Sequence, residues 1–178
     1  MLTKTQKEKI KNISILALDV DGVMTSGKIV YDHRGREIKV FNVRDGLGLV
    51  MLHRAGLRTA IISAKKSFAV TARARELGIA KVYQNAYPKD KAYRRLRRAL
   101  GVRDAQVCFV GDDLTDLAVF NHVGFCVAVK NATPELKAQA DYVTRTPGGE
   151  GAVREVAELV LKSQGKWQRL LGHYGARR

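Results

Sequence analysis

The chain has 178 residues, of which 46% are hydrophobic and 28% are charged, a length and composition typical of one globular domain with a buried core. Lysine and arginine number 32 against 17 aspartate and glutamate residues, a formal charge of +15 at pH 7 that favours anionic partners such as phosphorylated metabolites, nucleic acid or an acidic membrane surface. No apolar run approaches the roughly 18 residues that cross a bilayer, and the Lys-rich N-terminus lacks a signal-peptide core, so the sequence predicts a cytoplasmic protein without a membrane span.

Short β-branched runs alternate with longer helical patterns along the chain. The predicted strands are Ile13–Leu18, Arg58–Ile62, Lys81–Tyr83, Gln106–Val110, Gly124–Val129 and Tyr142–Val143. The predicted helices are Gly46–Ala55, Ser67–Leu77, Lys89–Leu100, Leu114–Asn121, Pro134–Ala140 and Gly151–Gln164. This alternation predicts an α/β fold with a parallel sheet flanked by helices. In such folds the ligand site lies outside the carboxyl ends of the strands.

One segment departs from this alternation. Two strand-like runs, Gly27–Tyr31 and Arg36–Phe41, flank the turn Asp32–Gly35, a pattern that predicts a β-hairpin. The hairpin, about residues 27–41, follows the first strand and is expected to stand off the sheet as a flap. The tail, about residues 165–178, has no clear period. No linker or repeat divides the chain, so residues 1–178 are predicted to form a single domain.

The first predicted strand runs directly into two carboxylates, Asp19 and Asp21. Alternate strand residues face the same side, so the two carboxylates are expected to share one side of the strand end. Placing two carboxylates together is costly unless a cation or a proton offsets their repulsion. The pair therefore indicates either a metal or catalytic site or, more simply, a solvated turn.

Three further polar groups follow at predicted strand ends or helix starts. Ser63 and Lys65 follow the second strand, Lys89 opens a helix, and an acidic cluster closes the strand Gln106–Val110. The members of the cluster are Asp112, Asp113 and Asp116. Carboxylates from two strand ends suit Mg²⁺, and a hydroxyl beside a lysine suits a phosphoryl group.

Each group also has a structural interpretation. Ser63 could cap a helix, and Lys89 could be a solvated first-turn lysine. Asp113 and Asp116 could favour a helix N-terminus through the helix dipole. All these groups occur in order along the chain, each at a strand end or a helix start, and together they favour a metal or catalytic site over separate structural roles.

This set of residues resembles the motifs of the haloacid dehalogenase superfamily of phosphohydrolases. The matching motifs are Asp19-x-Asp21-Gly22-Val23, Ser63, Lys89 and Gly111-Asp112-Asp113-x-x-Asp116. The resemblance implies a Rossmann-like haloacid dehalogenase fold in which Asp19 is the nucleophile that forms an aspartyl-phosphate. It makes Asp21 the general acid and then the general base, with Ser63 and Lys89 holding phosphate oxygens.

The same resemblance implies a Mg²⁺ site. Its ligands would be the carboxylates of Asp19 and Asp112 and the backbone carbonyl of Asp21, while Asp113 and Asp116 would orient Lys89 or the water on the metal. Only 44 positions separate Asp19 from Ser63, and 26 separate Ser63 from Lys89. Neither gap has room for a cap domain, so a capless enzyme with the hairpin as its flap is expected.

Further segments resemble one family, 3-deoxy-D-manno-octulosonate 8-phosphate phosphatase, which makes a lipopolysaccharide precursor in Gram-negative bacteria. The segments are Gly27–Tyr31, Phe41–Gly46, Tyr83–Gln84, Ala140–Thr144 and Gly148–Glu155. The resemblance implies Mg²⁺-dependent hydrolysis of that sugar phosphate by a homotetramer in which a neighbouring subunit helps cover the site. The implied substrate contacts are Asp21, Asn42, Val43, Arg44, Asp45, Gly46, Lys65, Arg73 and Lys89. Of these, Arg44 would pair with an anionic group such as the sugar carboxylate.

Two departures from that family concern substrate contacts. The chain has Ala64-Lys65 where the family commonly has Gly-Arg, and it has Val50 at the position of another family arginine. Lysine keeps the charge but loses the planar fork of arginine. These departures bear on the identity of the sugar more than on the reaction.

Three alternatives therefore stay open. Close relatives act on other sugar-acid phosphates, such as nonulosonate 9-phosphates, and similar domains serve as tetramerisation modules of cytidylyltransferases. A basic nucleic-acid-binding protein is the alternative from another class, because arginines cluster between Arg94 and Arg98. Those arginines surround an apolar stripe, which is typical of a solvated helix face, and no nucleic-acid-binding motif accompanies them.

Overall fold

The structure is a computed structural model that describes residues 2–175, and Met1 and the residues from Ala176 onward, including Arg177 and Arg178, lie outside it. The helices are α1 (Lys4–Lys11), α2 (Val43–Arg54), α3 (Phe68–Glu76), α4 (Lys89–Leu100), α5 (Leu117–Phe120), α6 (Pro134–Gln139), α7 (Ala152–Ser163) and α8 (Trp167–His173). The strands are β1 (Ile15–Leu18), β2 (Val30–Tyr31), β3 (Glu37–Ile38), β4 (Arg58–Ile62), β5 (Lys81–Tyr83), β6 (Val107–Gly111), β7 (Phe125–Ala128) and β8 (Tyr142–Val143).

Six strands form one sheet in the order β5-β4-β1-β6-β7-β8, and every neighbouring pair is parallel. The central strand β1 is wholly buried, as expected for a parallel strand covered on both faces. The chain leaves β1 for β4 and β5 on one side and returns to β6 on the other. This reversal places the topological switch point beside β1, where ligands bind in folds of this kind.

The predicted α/β fold without a cap domain is confirmed. Between β1 and α2 the structure has only the antiparallel hairpin of β2 and β3, which pairs Val30 with Ile38 and Tyr31 with Glu37. The turn is held by Asp32, whose carboxylate accepts hydrogen bonds from the backbone of Arg34 and Arg36. No cap domain is present within residues 2–175.

Helix α4 has the bounds that the sequence predicts, because its ends carry clear signals. Pro88 precedes it, and Gly101 closes it in the left-handed conformation at φ 63°, the usual helix C-cap. Its buried side includes Tyr93 and Leu96. The arginines of the cluster lie on the rest of its surface, and two of them form ion pairs, Arg94 with Asp90 and Arg97 with Asp104.

Several predicted boundaries are wrong. Helix α2 begins at Val43 rather than Gly46, because the Asn42 side chain accepts a hydrogen bond from the backbone of Arg44 and starts the helix earlier. The predicted helix Leu114–Asn121 is divided into a 3₁₀ turn, Leu114–Asp116, and α5. The sequence interpretation did not assign helices α1 and α8.

The two unassigned helices are short and pack against the domain through few residues. In α1 only Ile10 is buried, although Thr3 and Gln6 form a capping box that the sequence pattern signals. In α8 only Leu170 is buried. No helix within residues 2–175 is both long enough and apolar enough to cross a membrane.

Candidate active site

Three neighbouring strands end at the same edge of the sheet and bring the predicted residues together. Asp19 follows β1, Ser63 follows β4 and Asp112 follows β6, and these strands are adjacent in the sheet. They meet in a cleft of about 190 Å³. The cleft is lined by Asp19, Asp21, Ser63, Ala64, Lys65, Lys89, Asp112, Asp113 and Thr115.

Lys89, the first residue of α4, is buried between two carboxylates. Its Nζ lies 2.8 Å from Asp19 Oδ1 and 2.6 Å from Asp116 Oδ1, and the residue is only 2% exposed. Burial alone would lower the pKa of Lys89, but the charges of Asp19 and Asp116 raise it overall. Lys89 is therefore a fixed positive charge at the floor of the cleft, not a solvated first-turn lysine.

Asp116 links Lys89 to the loop that carries Asp112. One of its carboxylate oxygens accepts the Lys89 hydrogen bond, and the other accepts from the backbone N–H of Asp112 at 2.9 Å. Asp113 has a different contact, because its carboxylate accepts from the backbone of Leu114 and starts the 3₁₀ turn. The helix-start interpretation thus describes the contact of Asp113, whereas Asp116 orients Lys89.

The carboxylates of Asp19, Asp112 and Asp116 lie within 4.8 Å of one another. Burial, together with the neighbouring charges of Asp19 and Asp116, raises the pKa of Asp112 to about 8. Burial likewise raises the pKa of Asp19, even though Lys89 acts in the opposite direction. Lys89 contacts two of the three carboxylates and offsets one negative charge, so a divalent cation would balance the negative charge that remains.

These residues fit Mg²⁺, a cation that prefers oxygen ligands. Both oxygens of Asp116 are already engaged by Lys89 and by the backbone of Asp112. The carboxylates that remain to hold the ion are those of Asp19 and Asp112. This is the pair that the superfamily resemblance implies.

Asp21 is paired with a residue that the sequence interpretation did not include. Lys39, which follows β3, donates to the Asp21 carboxylate and also to Glu37, at 3.0 Å. The Lys39 side chain is 5% exposed. Burial alone would lower the pKa of Lys39, but its hydrogen bonds to Asp21 and Glu37 raise it. The only sequence signal is that Glu37 and Lys39 are two positions apart and so share a face of an extended chain.

The turn after Asp21 requires a glycine. Gly22 has φ 92°, and a Cβ there would lie 1.9 Å from Asp112 Oδ2. The loop is closed by Thr25, whose hydroxyl accepts from the backbone of Gly22 and Gly27 and donates to the Val20 carbonyl. Gly22 therefore lets the loops of Asp21 and Asp112 come together.

The residues Asn42 to Gly46 start α2 and do not line the cleft. Asn42 caps the helix and donates to the Gly149 carbonyl, while Val43 and Arg44 are exposed. Asp45 is 3% exposed and accepts from the backbone of Arg154 at 2.8 Å. The structure thus leaves Arg44 free to meet a ligand and holds Asp45 against the start of α7.

Arg73 also lies outside the cleft lining. It forms an ion pair with Glu76 at 2.8 Å, and its guanidinium lies 6.0 Å from the centre of the Phe41 ring. Arg73 also packs closely on Gly46, where a Cβ would lie 2.3 Å from Arg73 Nη2. Of the two family departures, Lys65 lines the cleft and Val50 packs against the hydrophobic core.

The chain matches known proteins over most of its length. Residues 51–156 match the family model described as haloacid dehalogenase-like hydrolase. The chain is 46% identical over 158 residues to the 3-deoxy-D-manno-octulosonate 8-phosphate phosphatase of Escherichia coli strain K12, covering 89% of this chain and 84% of the relative.

Solved structures agree with this match. A 3-deoxy-D-manno-octulosonate 8-phosphate phosphatase from Moraxella catarrhalis, in complex with a magnesium ion, a phosphate ion and KDO, superposes with a TM-score of 0.92 at 40% identity, covering 94% of this chain and 97% of that one. The cobalt-bound phosphatase of Haemophilus influenzae has a TM-score of 0.86 at 39% identity, covering 89% of this chain and 92% of that one.

Proposed function

The chain belongs to the 3-deoxy-D-manno-octulosonate 8-phosphate phosphatase family of haloacid dehalogenase-like hydrolases, and we propose that it hydrolyses this sugar phosphate to the free sugar acid and phosphate. The reaction would supply a lipopolysaccharide precursor. The observation that carries the proposal is the placement of Lys89 between Asp19 and Asp116, with Asp112 beside them in one cleft. This arrangement holds one carboxylate for attack and surrounds it with groups that bind a phosphoryl group.

In the first step the free carboxylate oxygen of Asp19 attacks phosphorus. Lys89 holds the other oxygen, Oδ1, at 2.8 Å, which limits rotation of the carboxylate. The bond between phosphorus and the sugar oxygen breaks. Asp21 enters this step with a proton on Oδ2, the oxygen that Lys39 does not hold, and donates that proton to the sugar oxygen. The products of this step are the free sugar acid and an aspartyl-phosphate on Asp19.

In the second step water attacks the aspartyl-phosphate. Asp21, ionised after the first step, accepts a proton from the water, and the bond between phosphorus and the Asp19 oxygen breaks. Phosphate leaves, and Asp19 returns to its carboxylate form. Lys39 holds Asp21 through both steps from a position at the base of the flap.

Ser63 and Lys65 support phosphate binding from the end of β4. Ser63 is 3% exposed and lines the cleft beside Lys89, so its hydroxyl can donate to a phosphate oxygen. Lys65 adds a second ammonium at the rim of the same cleft. These donors act on the oxygens whose charge changes during transfer.

Mg²⁺ would be held by the carboxylates of Asp19 and Asp112 and by the backbone carbonyl of Asp21. When bound, it would neutralise the charge between the nucleophile and the phosphate dianion. The raised pKa of Asp112 supports this assignment, since burial and neighbouring carboxylates leave negative charge that a cation would offset.

The flap and its surroundings support assembly as a homotetramer in which a neighbouring subunit helps cover the open site. Five apolar side chains of the flap are exposed at 44–73%: Ile29, Val30, Tyr31, Ile38 and Val40. An exposed apolar surface of this kind is typical of subunit contacts. We also propose a cytoplasmic location, supported by two buried free thiols, Cys108 and Cys126, as expected in a reducing compartment.

The test is phosphate release from 3-deoxy-D-manno-octulosonate 8-phosphate in the presence of Mg²⁺ or of EDTA, with a nonulosonate 9-phosphate as the competing substrate. We expect Mg²⁺-dependent turnover, faster on the octulosonate, and no turnover by Asp19→Asn with the fold retained. Faster turnover of the nonulosonate 9-phosphate would identify that sugar phosphate, and not the octulosonate, as the substrate. Absence of turnover on any sugar phosphate would favour the tetramerisation module.

Assembly is measured separately by light scattering on the eluting protein. Replacing Tyr31 and Val40 by serine should dissociate a tetramer. The control Val143→Ser changes an exposed apolar side chain on the edge strand β8 and should leave the tetramer intact. A monomeric wild-type protein would overturn the tetramer. A salt-sensitive gel shift with RNA or DNA would instead support the nucleic-acid-binding alternative.

A further inference from the structure

A second cavity, of about 390 Å³, lies between the end of α2 and helix α8. Its lining consists of Arg54, Ala55, Lys166, Arg169, Leu170 and His173. None of these residues lines the catalytic cleft. The volume lies within the range of pockets that hold small molecules.

The lining carries positive charge without a carboxylate. Arg54, Lys166 and Arg169 form no ion pair with a carboxylate within residues 2–175. The sequence has no aspartate or glutamate after Glu158, so α8 brings no acid to the cavity. Three cations held around one concave surface create a local potential that attracts anions.

Arg54 makes two contacts with Tyr174 that favour one position of its side chain. Its Nη1 donates to the Tyr174 hydroxyl at 2.6 Å, and its guanidinium lies 5.1 Å from the centre of the Tyr174 ring. Fixing the side chain reduces the conformational entropy that binding would otherwise cost. The remaining N–H groups of the guanidinium keep the fork geometry that suits phosphate.

We propose that this cavity binds a small phosphorylated metabolite that carries two or more negative charges. Arg54, Lys166 and Arg169 would contact its phosphate oxygens, and Ala55 and Leu170 would contact its carbon skeleton. The site is separate from the catalytic cleft and would be occupied whether or not the proposed hydrolysis is correct. Binding and turnover can therefore be measured independently.

Binding is followed by isothermal titration calorimetry, because the only tryptophan of the chain, Trp167, lies against Arg154 and Lys162 of α7 and does not line the cavity. The experiment titrates the full-length protein in EDTA with inorganic pyrophosphate. We expect saturable binding with a dissociation constant of about 1 mM or lower. The variant Arg54→Gln/Arg169→Gln should weaken binding about tenfold or more, because it removes two charged donors.

Two controls separate the cavity from other sources of the signal. Arg95→Gln/Arg98→Gln removes the same charge from the exposed face of α4 and should leave binding within twofold of wild type. Ser63→Ala/Lys65→Met alters the catalytic cleft and should also leave it unchanged. Equal weakening by the α4 variant, or loss of the signal in the cleft variant, would overturn the proposal.

Citrate tests the chemical class of the ligand, because its negative charge is similar to that of pyrophosphate but is carried by carboxylates and not by phosphates. It should bind at least tenfold more weakly if the cavity selects phosphate. Equal affinity, or no saturation by pyrophosphate, would overturn the proposal. Ala55→Glu, which adds an acid to the lining and keeps both arginines, provides a second loss-of-binding variant if the arginine variant fails to fold by circular dichroism.

Discussion

The ammonium of Lys39 is paired with the carboxylate of Asp21, so the flap and the catalytic loop are joined by an ion pair. Lys39 is the more deeply buried partner, with a side chain 5% exposed against 30% for Asp21. It also binds Glu37 of β3. The position of the proposed acid and base is thus set partly by a segment outside the sheet.

Replacing Lys39 by methionine should therefore lower kcat more than it changes KM. The expected loss in kcat is about tenfold, because a hydrogen bond to a charged group contributes ~1.5–3 kcal/mol. Lys39→Arg should recover part of the rate, since it restores the charge. Glu37→Gln is the control, because it removes the charge of the second partner of Lys39 and leaves Asp21 untouched. Steady-state kinetics that give equal losses for Lys39→Met and Glu37→Gln would contradict this role.

Lys89 is expected to matter for stability as well as for activity. Lys89→Met would leave Asp19 and Asp116 buried without the cation that lies 2.8 Å and 2.6 Å from them. The free energy of unfolding, measured in urea at pH 7 without Mg²⁺, should therefore fall by about 3–5 kcal/mol, the usual cost of breaking a buried ion pair in this way. Adding Asp116→Asn should restore part of the loss, because one stranded charge is removed.

Lys91→Met, an exposed change two positions along α4, is the control for Lys89→Met. It should alter the free energy of unfolding by less than about 0.5 kcal/mol. If Lys89→Met were as stable as Lys91→Met, the buried ion pair would not exist in solution.

Much of this site follows from the sequence because its residues lie next to strong local signals. Asp19, Ser63 and Asp112 each follow an apolar strand, and parallel strands end at one edge of a sheet. The start of α2 differs from the prediction because Asn42, a residue type that favours the N-cap position, starts the helix three positions before Gly46. The contact of Lys39 with Asp21 spans 18 positions and depends on how the flap folds back, which no local pattern encodes.

Asp45 should make stability depend on pH. Burial raises the pKa of Asp45 to about 6, against 3.8 ordinarily, even though it accepts backbone hydrogen bonds from the start of α7, and its Oδ2 has no partner. Between pH 4 and 6 the folded protein keeps a proton that the unfolded chain has lost. The free energy of unfolding should therefore fall as pH rises through this window, by about 3 kcal/mol in total.

Urea denaturation of the wild type and Asp45→Asn from pH 4.5 to 7 measures this effect. Other titrating groups cancel in the difference between the two proteins, so wild type should lose stability relative to the variant as pH rises. Glu8→Gln, on an exposed position of α1, should show no such difference. Parallel profiles for wild type and Asp45→Asn would mean that Asp45 is not buried as described.

Gly148 packs directly against the catalytic loop, and this contact leads to the last prediction. A Cβ on Gly148 would lie 1.6 Å from the Gly22 carbonyl oxygen and 3.1 Å from the Val23 Cα. The neighbouring Gly149 donates to the Val23 carbonyl at 2.9 Å. Both clashing atoms belong to backbone, so Gly148→Ala must displace the turn that follows Asp21.

Gly148→Ala should destabilise the fold by about 1–3 kcal/mol, the usual cost of overpacking, and should lower kcat at saturating Mg²⁺. Gly172→Ala is the matched control, because a Cβ there meets nothing within 4 Å and alanine favours the helix. Thermal denaturation and turnover of both variants measure the two effects. A Gly148→Ala protein with wild-type melting temperature and kcat would contradict the contact, because a loop able to absorb the methyl group cannot be fixing the position of Asp21.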